Sequence, residues 1–122
     1  MSDYQTKTRT TARAAAGIVA TARAGAKAWQ DGKLTHAYAD TMVTEAEEDI
    51  GSVVSTFDSR QPPTQAAIAL RDRIDAPLES ASNALSDLRI ALRRSDHEGV
   101  KSATDDLAAP QRSLEGLEQV GL

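Results

Sequence analysis

The residues equipped for site chemistry are few, and several crowd into one stretch. The segment "KAWQDGKLTHAYADT", residues 27 to 41, holds Trp29 and Tyr38, two of four aromatic side chains, and His36, one of two histidines. The other histidine, His97, follows Asp96 in "RRSDHE". Imidazole with neighbouring carboxylates is a donor set for a divalent transition metal. His36, His97 and Asp96 are therefore the candidate metal ligands, with Asp31, Asp40 and Glu98 close by in sequence. Neither histidine stands in a spaced ligand motif, and the competing reading is two exposed histidines at helix starts. Trp29 and Tyr38, at helical spacing beside a chain reversal, read as an aromatic corner over the end of a core. The alternative is a stacking platform for a ligand.

Other chemistries find less support. Glu45, Glu47, Glu48 and Asp49 form an acidic run. It lacks the Asp-x-Asp-x-Asp-Gly loop of a calcium site and reads as a solvated helix face. No Glu-x-x-His is present for a di-iron centre. Met42 and His97 are the one pair that a non-covalent haem could use, and His97 sits too near a helix start. The chain has no cysteine, which rules out disulfides, zinc thiolates and covalent c-type haem. No nucleophile motif or phosphate-binding glycine loop occurs. The expectation is a protein without catalytic residues or cofactor, and not an enzyme.

The elements that would carry these residues are helices. Among 49 hydrophobic residues, 22 are Ala and 21 are Ile, Leu or Val. Alanine favours helix and is depleted in strands, and helices faced with it can approach closely. Four amphipathic segments are expected, at about 5–30, 35–59, 64–94 and 96–120. The first presents Ala12, Ala15, Ala16, Val19, Ala22, Ala26 and Trp29 on one face and stops at Gly32. The second, capped by Thr35, repeats Ala39, Val43, Ala46, Ile50, Val53 and Phe57 at spacings of four and three. It ends before Pro62 and Pro63. The third repeats Ile74, Leu78, Ala81, Leu85, Leu88 and Leu92 in the same rhythm. Ser95 and Glu98 have the spacing of a capping box for the fourth.

Short loops make consecutive helices antiparallel. The expected fold is a single domain, residues 1–122: an all-α, antiparallel up-down-up-down four-helix bundle, kinked at Pro77 and Pro110. Its second and fourth helices are diagonal and both start at one end, which brings His36 and His97 to that end. Residues 1–33 carry six basic groups and two acidic ones, and residues 34–59 carry six acidic and no basic groups. Register then sets Arg23 near the level of Val43 and Glu45, and Gly17 near Glu48 and Asp49.

Gly17, Gly51, Pro77 and Pro110 fall at roughly 20–26 Å from the Trp29 end, about mid-height. Prolines that bow their helices apart would open a pocket among Ile18, Ile50, Ile74, Leu78, Leu107 and Leu114. Alternatively the glycines permit close contact and the kinks wrap a filled core. Ile68 and Ile90 point away from the third helix's seam; isolated exposed isoleucines are ordinary, but joined with Ala-rich surface into a patch they would suggest a protein partner or a homo-oligomer.

A net charge of −4 argues against nucleic-acid binding. No run approaches the ~20 apolar residues of a transmembrane segment. The expected location is cytoplasmic if Met1 is the native start, and the cell envelope or outside if an upstream leader has been removed.

The spacing of Trp29, Gly32, Leu34, Tyr38, Ala39 and Thr41, followed by further amphipathic helices, resembles small uncharacterised helical-bundle proteins of high-GC bacteria. Ten arginines against four lysines fit such a genome. Many of those proteins are extracytoplasmic or lipid-anchored. The resemblance, over residues 29–118, implies the fold and an envelope location, and no activity. The leading functional expectation is a non-enzymatic bundle that acts through protein–protein contacts. The alternative is a sensory module that binds a small ligand or metal at the mid-height pocket or the histidine-bearing end.

Overall fold

Each helix start is fixed by a side chain that satisfies amide groups the helix itself cannot. In the computed structural model, which describes residues 2–119, Ser2 accepts a hydrogen bond from the Gln5 N–H, and the Gln5 side chain accepts one from the Ser2 N–H. This reciprocal cap starts helix α1, Asp3–Gln30, two residues earlier than the apolar periodicity suggests. Tyr4 is thereby drawn into the core. Thr35 caps α2, His36–Asp58, and Thr64 caps α3, Gln65–Arg93.

Two helix ends share one device. After α1, Gly32 adopts a left-handed conformation (φ 76°). Its N–H bonds to the Trp29 carbonyl, and that of Lys33 to the Ala28 carbonyl. After α3, Ser95 does the same at φ 52°. Its N–H reaches the Leu92 carbonyl, and that of Asp96 reaches the Ala91 carbonyl. Both are Schellman terminations. The expected cap at Ser95 is thus corrected. Ser95 is consumed in ending α3, and Asp96 caps the next helix by accepting from the Gly99 N–H. Gly99 leaves room for this cap. A Cβ there would run into the Asp96 carboxylate and the Ala91 methyl.

The fourth helix is divided into α4, His97–Asp106, and α5, Ala108–Leu117. The Leu107 N–H is shared between the carbonyls of Ala103 and Thr104. The break puts Pro110 in the first turn of α5, where amides have no intrahelical acceptor and a missing N–H costs little. Pro77 behaves differently, staying inside an unbroken α3. The expected helix end at residue 120 lies outside the described residues.

The bundle is antiparallel, with no strand among the described residues. α1 packs on α2, α2 on α3, and α3 on α4 and α5. α5 closes the ring against α1, and the backbone of α2 stays apart from those of α4 and α5. α1 and α3 also meet across the diagonal. Between Tyr4 and Trp29 the buried face of α1 is slim: Thr8, Ala12, Ala15, Ala16, Val19, Ala22, Gly25 and Ala26. α3 supplies the bulk with Leu70, Ile74, Leu78, Leu85, Leu88 and Leu92, all buried. Each such side chain contributes roughly 1.5–3 kcal/mol on burial.

Surface charge departs from the expected pairing of α1 with α2. Arg23 shares a level with α2 residues but lies on the opposite flank of α1, where Nη1 donates to Gln111 of α5 at 2.7 Å. The α2 acids pair with α3 instead: Glu47 with Arg89 at 3.1 Å and Asp40 with Arg93 at 3.2 Å. Height along an axis does not set direction around it.

Gly17 and Gly51 do not mediate close contact. Both are exposed within helices, and a Cβ at either would meet nothing within 4 Å. Gly17→Ala and Gly51→Ala should each stabilise the fold by about 0.5–1 kcal/mol in urea unfolding. Ser95→Gly, which relieves a left-handed serine, should add a similar amount, again read from the unfolding midpoint.

Candidate functional site

At the end where α1 stops and α4 begins, four side chains interlock. Trp29, in the last turn of α1, is buried. The His97 imidazole stacks on its indole, with ring centroids 4.4 Å apart and planes 10° from parallel. His36 meets the same indole edge-on at 6.2 Å. Gln30 clamps His97 twice: its amide nitrogen donates to the His97 carbonyl at 2.8 Å, and its Oε1 lies 2.7 Å from His97 Nδ1. The amide oxygen can only accept, so Nδ1 carries the proton in this bond.

His36 has a separate task. Its Nε2 lies 2.7 Å from the Leu92 carbonyl, in the last turn of α3. A carbonyl only accepts, so Nε2 donates, and the Leu92 oxygen, which also takes the Ser95 N–H, accepts from both. Topology does bring His36 and His97 to one end of the bundle. Both meet the same indole, one on its face and one at its edge, and each commits one ring nitrogen to a neighbouring acceptor. Asp96 spends its carboxylate on capping α4. No group of three or more His, Asp or Glu side chains suited to a metal ion occurs among the described residues.

Tyr38 takes no part in covering this end. It is 60% exposed, because Ala39, the next residue, occupies the inward position of α2. The aromatic corner is therefore Trp29 with two histidines. A second one closes the opposite end, where Tyr4 and Phe57 pack at 5.5 Å. The capping-box spacing from Ser2 to Gln5 was the signal that could have found Tyr4.

The residues expected around a central hollow are mostly core. Ile50, Ile74, Leu78, Leu107 and Leu114 are buried. Ile18 is only partly buried and lines a shallow groove between α1 and α2 with Gly17, Met42 and Glu45. The opening created by the fourth helix lies elsewhere. Beyond Leu107, α5 stays tight on α1, whereas α4 lies chiefly on α3 and touches α1 much less. Between α1 and α4 runs a groove of about 650 Å³. Arg23, Ala24, Lys27 and Gln30 line one wall, and His97, Glu98, Lys101, Thr104 and Asp105 line the other. His97, stacked on Trp29, and Gln30 both belong to this lining.

Electrostatically the groove and the far end differ. Arg23, Lys27 and Lys101 border the groove, with Lys101 3.8 Å from Asp105. Arg23 Nε is buried without a hydrogen-bond partner, an uncompensated donor in the groove wall. On the α2–α3 side, Asp58, Asp75 and Glu79 line a second groove of about 780 Å³. Burial, with the Asp58 carboxylate second, raises the pKa of Asp75, and Arg71 only partly opposes this. Burial likewise raises that of Tyr4.

A raised folded-state pKa means that Asp75 favours folding while protonated and loses that contribution as pH rises through its shifted value. Asp75→Asn should therefore raise the melting temperature at pH 7. The gain should shrink as the pH falls through the raised value and wild-type Asp75 takes up its proton. Melting curves of both proteins from pH 3 to 8 check the sign.

No protein-family model matches the chain, and no curated protein or solved structure is significantly similar to it.

Proposed function

We propose that this protein is a non-enzymatic ligand-binding helical bundle, with the α1–α4 groove at its histidine-bearing end as the binding site. The groove itself carries the reading. Its volume of about 650 Å³ falls inside the ~300–1,000 Å³ range of small-molecule sites. It arises from a built feature, the division of the fourth helix at Leu107. His97 in its lining stacks on Trp29 and is held by two hydrogen bonds to Gln30. Ala24 and the aliphatic stems of Lys27 and Lys101 offer apolar surface beneath charged tips. The site offers binding surface and charge from Arg23, Lys27, Glu98, Lys101 and Asp105.

The protein-contact reading draws on different residues. Tyr38 is 60% and Ile90 41% exposed. Ile90 borders a small groove between α3 and α4, and Tyr38 stands on α2, whose backbone stays apart from that of α4. Two separated apolar side chains are ordinary on a protein surface. No described helix is long and apolar enough to cross a membrane.

Titration of ¹⁵N-labelled protein with a library of small apolar and amphipathic compounds tests the site. Binders should shift amides in residues 23–30 and 97–105 together. Shifts confined to the α2–α3 groove, or no binder at millimolar concentration, would refute the assignment. If protein contact is the function instead, light scattering should show an assembly that Tyr38→Ser or Ile90→Ser disperses.

A further inference from the structure

The charges around the groove narrow its ligand. Counting histidine as neutral, the lining holds three cations, Arg23, Lys27 and Lys101, and two carboxylates, Glu98 and Asp105. The groove is left with one net positive charge, on a protein whose overall charge is −4. The positive residues of α1 lie together. Arg23 and Lys27 are one helical turn apart on the same wall. Both carboxylates belong to α4, and Lys101 partly neutralises Asp105 at 3.8 Å. A ligand with one negative charge matches this balance. A dianion meets Glu98 across the groove and is disfavoured.

Arg23 supplies the more specific observation. Its Nη1 donates to Gln111 Oε1, while its Nε is buried and unpaired. A buried donor without an acceptor carries a penalty that a charged acceptor would remove. The unused edge of the guanidinium, Nε with Nη2, has the fork geometry that matches a carboxylate. Nε is screened from solvent where it stands, so engagement draws the guanidinium a short way out toward the groove. Ala24 and the lysine stems of the same lining offer surface for an apolar body, and His97, stacked on Trp29, lines the groove with them.

We infer that the groove binds a small amphipathic monocarboxylate, its carboxylate held by Arg23 and Lys27 and its apolar body lying toward the Trp29–His97 stack. This rests on the groove being a binding site at all, and the test separates the two claims. The probes are 1-naphthylacetate, its neutral amide 1-naphthylacetamide, and 1-naphthyl phosphate, which share one ring system and differ in charge. Each is titrated into the full chain, with binding followed by amide shifts in residues 23–30 and 97–105. The acid should bind at least tenfold more tightly than the amide. Arg23→Gln and Lys27→Gln should each reduce acid affinity toward that of the amide and leave amide affinity unchanged. A circular-dichroism melt of each variant confirms folding. Equal affinity for acid and amide would overturn the carboxylate inference and leave the binding groove standing. Tighter binding of the phosphate would overturn the single-charge match. Failure of all three to perturb the groove residues would overturn both claims.

Discussion

The contact of α1 with α3 across the bundle diagonal is the constraint on which the other features depend. It exists because the middle of α1's buried face is made almost wholly of alanine, glycine and threonine, with Val19 the one larger residue. A slim helix lets its diagonal partner come close, and the leucines and isoleucines of α3 fill the space. With α1 and α3 in contact, the ring flattens along that diagonal, and the backbone of α2 stays apart from those of α4 and α5. The bulky residues of α1 are kept for its ends. Tyr4 meets Phe57 at one, and Trp29 meets two histidines at the other. The core is thin in the middle and stoppered by aromatic rings.

The fourth helix completes the bundle in two pieces for a related reason. A single straight helix would have to satisfy both the tight fit beside α1 and the bulk of α3. The break at Leu107 releases it from doing both along one axis. α5 settles against α1, where Arg23 and Arg9 donate to Gln111 and to the Glu118 carbonyl. α4 leans on α3 and is tied back to α1 at its very start, through Gln30, Trp29 and His97. A segment held at both ends and released in between leaves a groove. The groove follows from how the helix is divided, and the cations that border it are there because α1 turns its basic flank to this side.

Much of the fold was legible in the chain. The heptad-like rhythm of Ala39 to Phe57 and of Ile74 to Leu92 marks faces that are buried, with Val53 only partly so. Thr35, Thr64, Gly32 and the proline pair mark ends through chemistry confined to a few neighbouring residues. Where legibility failed, the competing signals were local too. Ser95 can cap one helix or end another, and only the closing geometry of α3 chose. Tyr38 lies one residue from the inward position of α2, and a wheel resolves a corner poorly in a helix's first turn. The site was half legible. His36 and His97 reach one end as topology requires, but Gln30, which holds His97 in place, belongs to no motif.

The sequence by itself determined that the chain is helical, roughly where four helical segments lie, and which stripe of each is apolar. Those properties depend on periodicity, capping and backbone preference, which act over a few residues. The tertiary structure alone decided that Arg23 faces Gln111 instead of the acids of α2, that Glu47 and Asp40 pair with α3, and that the fourth helix opens a groove against α1. These depend on rotation of each helix about its axis and on the lean of one segment. They are set when side chains of unequal size compete to fill a common interior, and no stretch of chain contains that information alone.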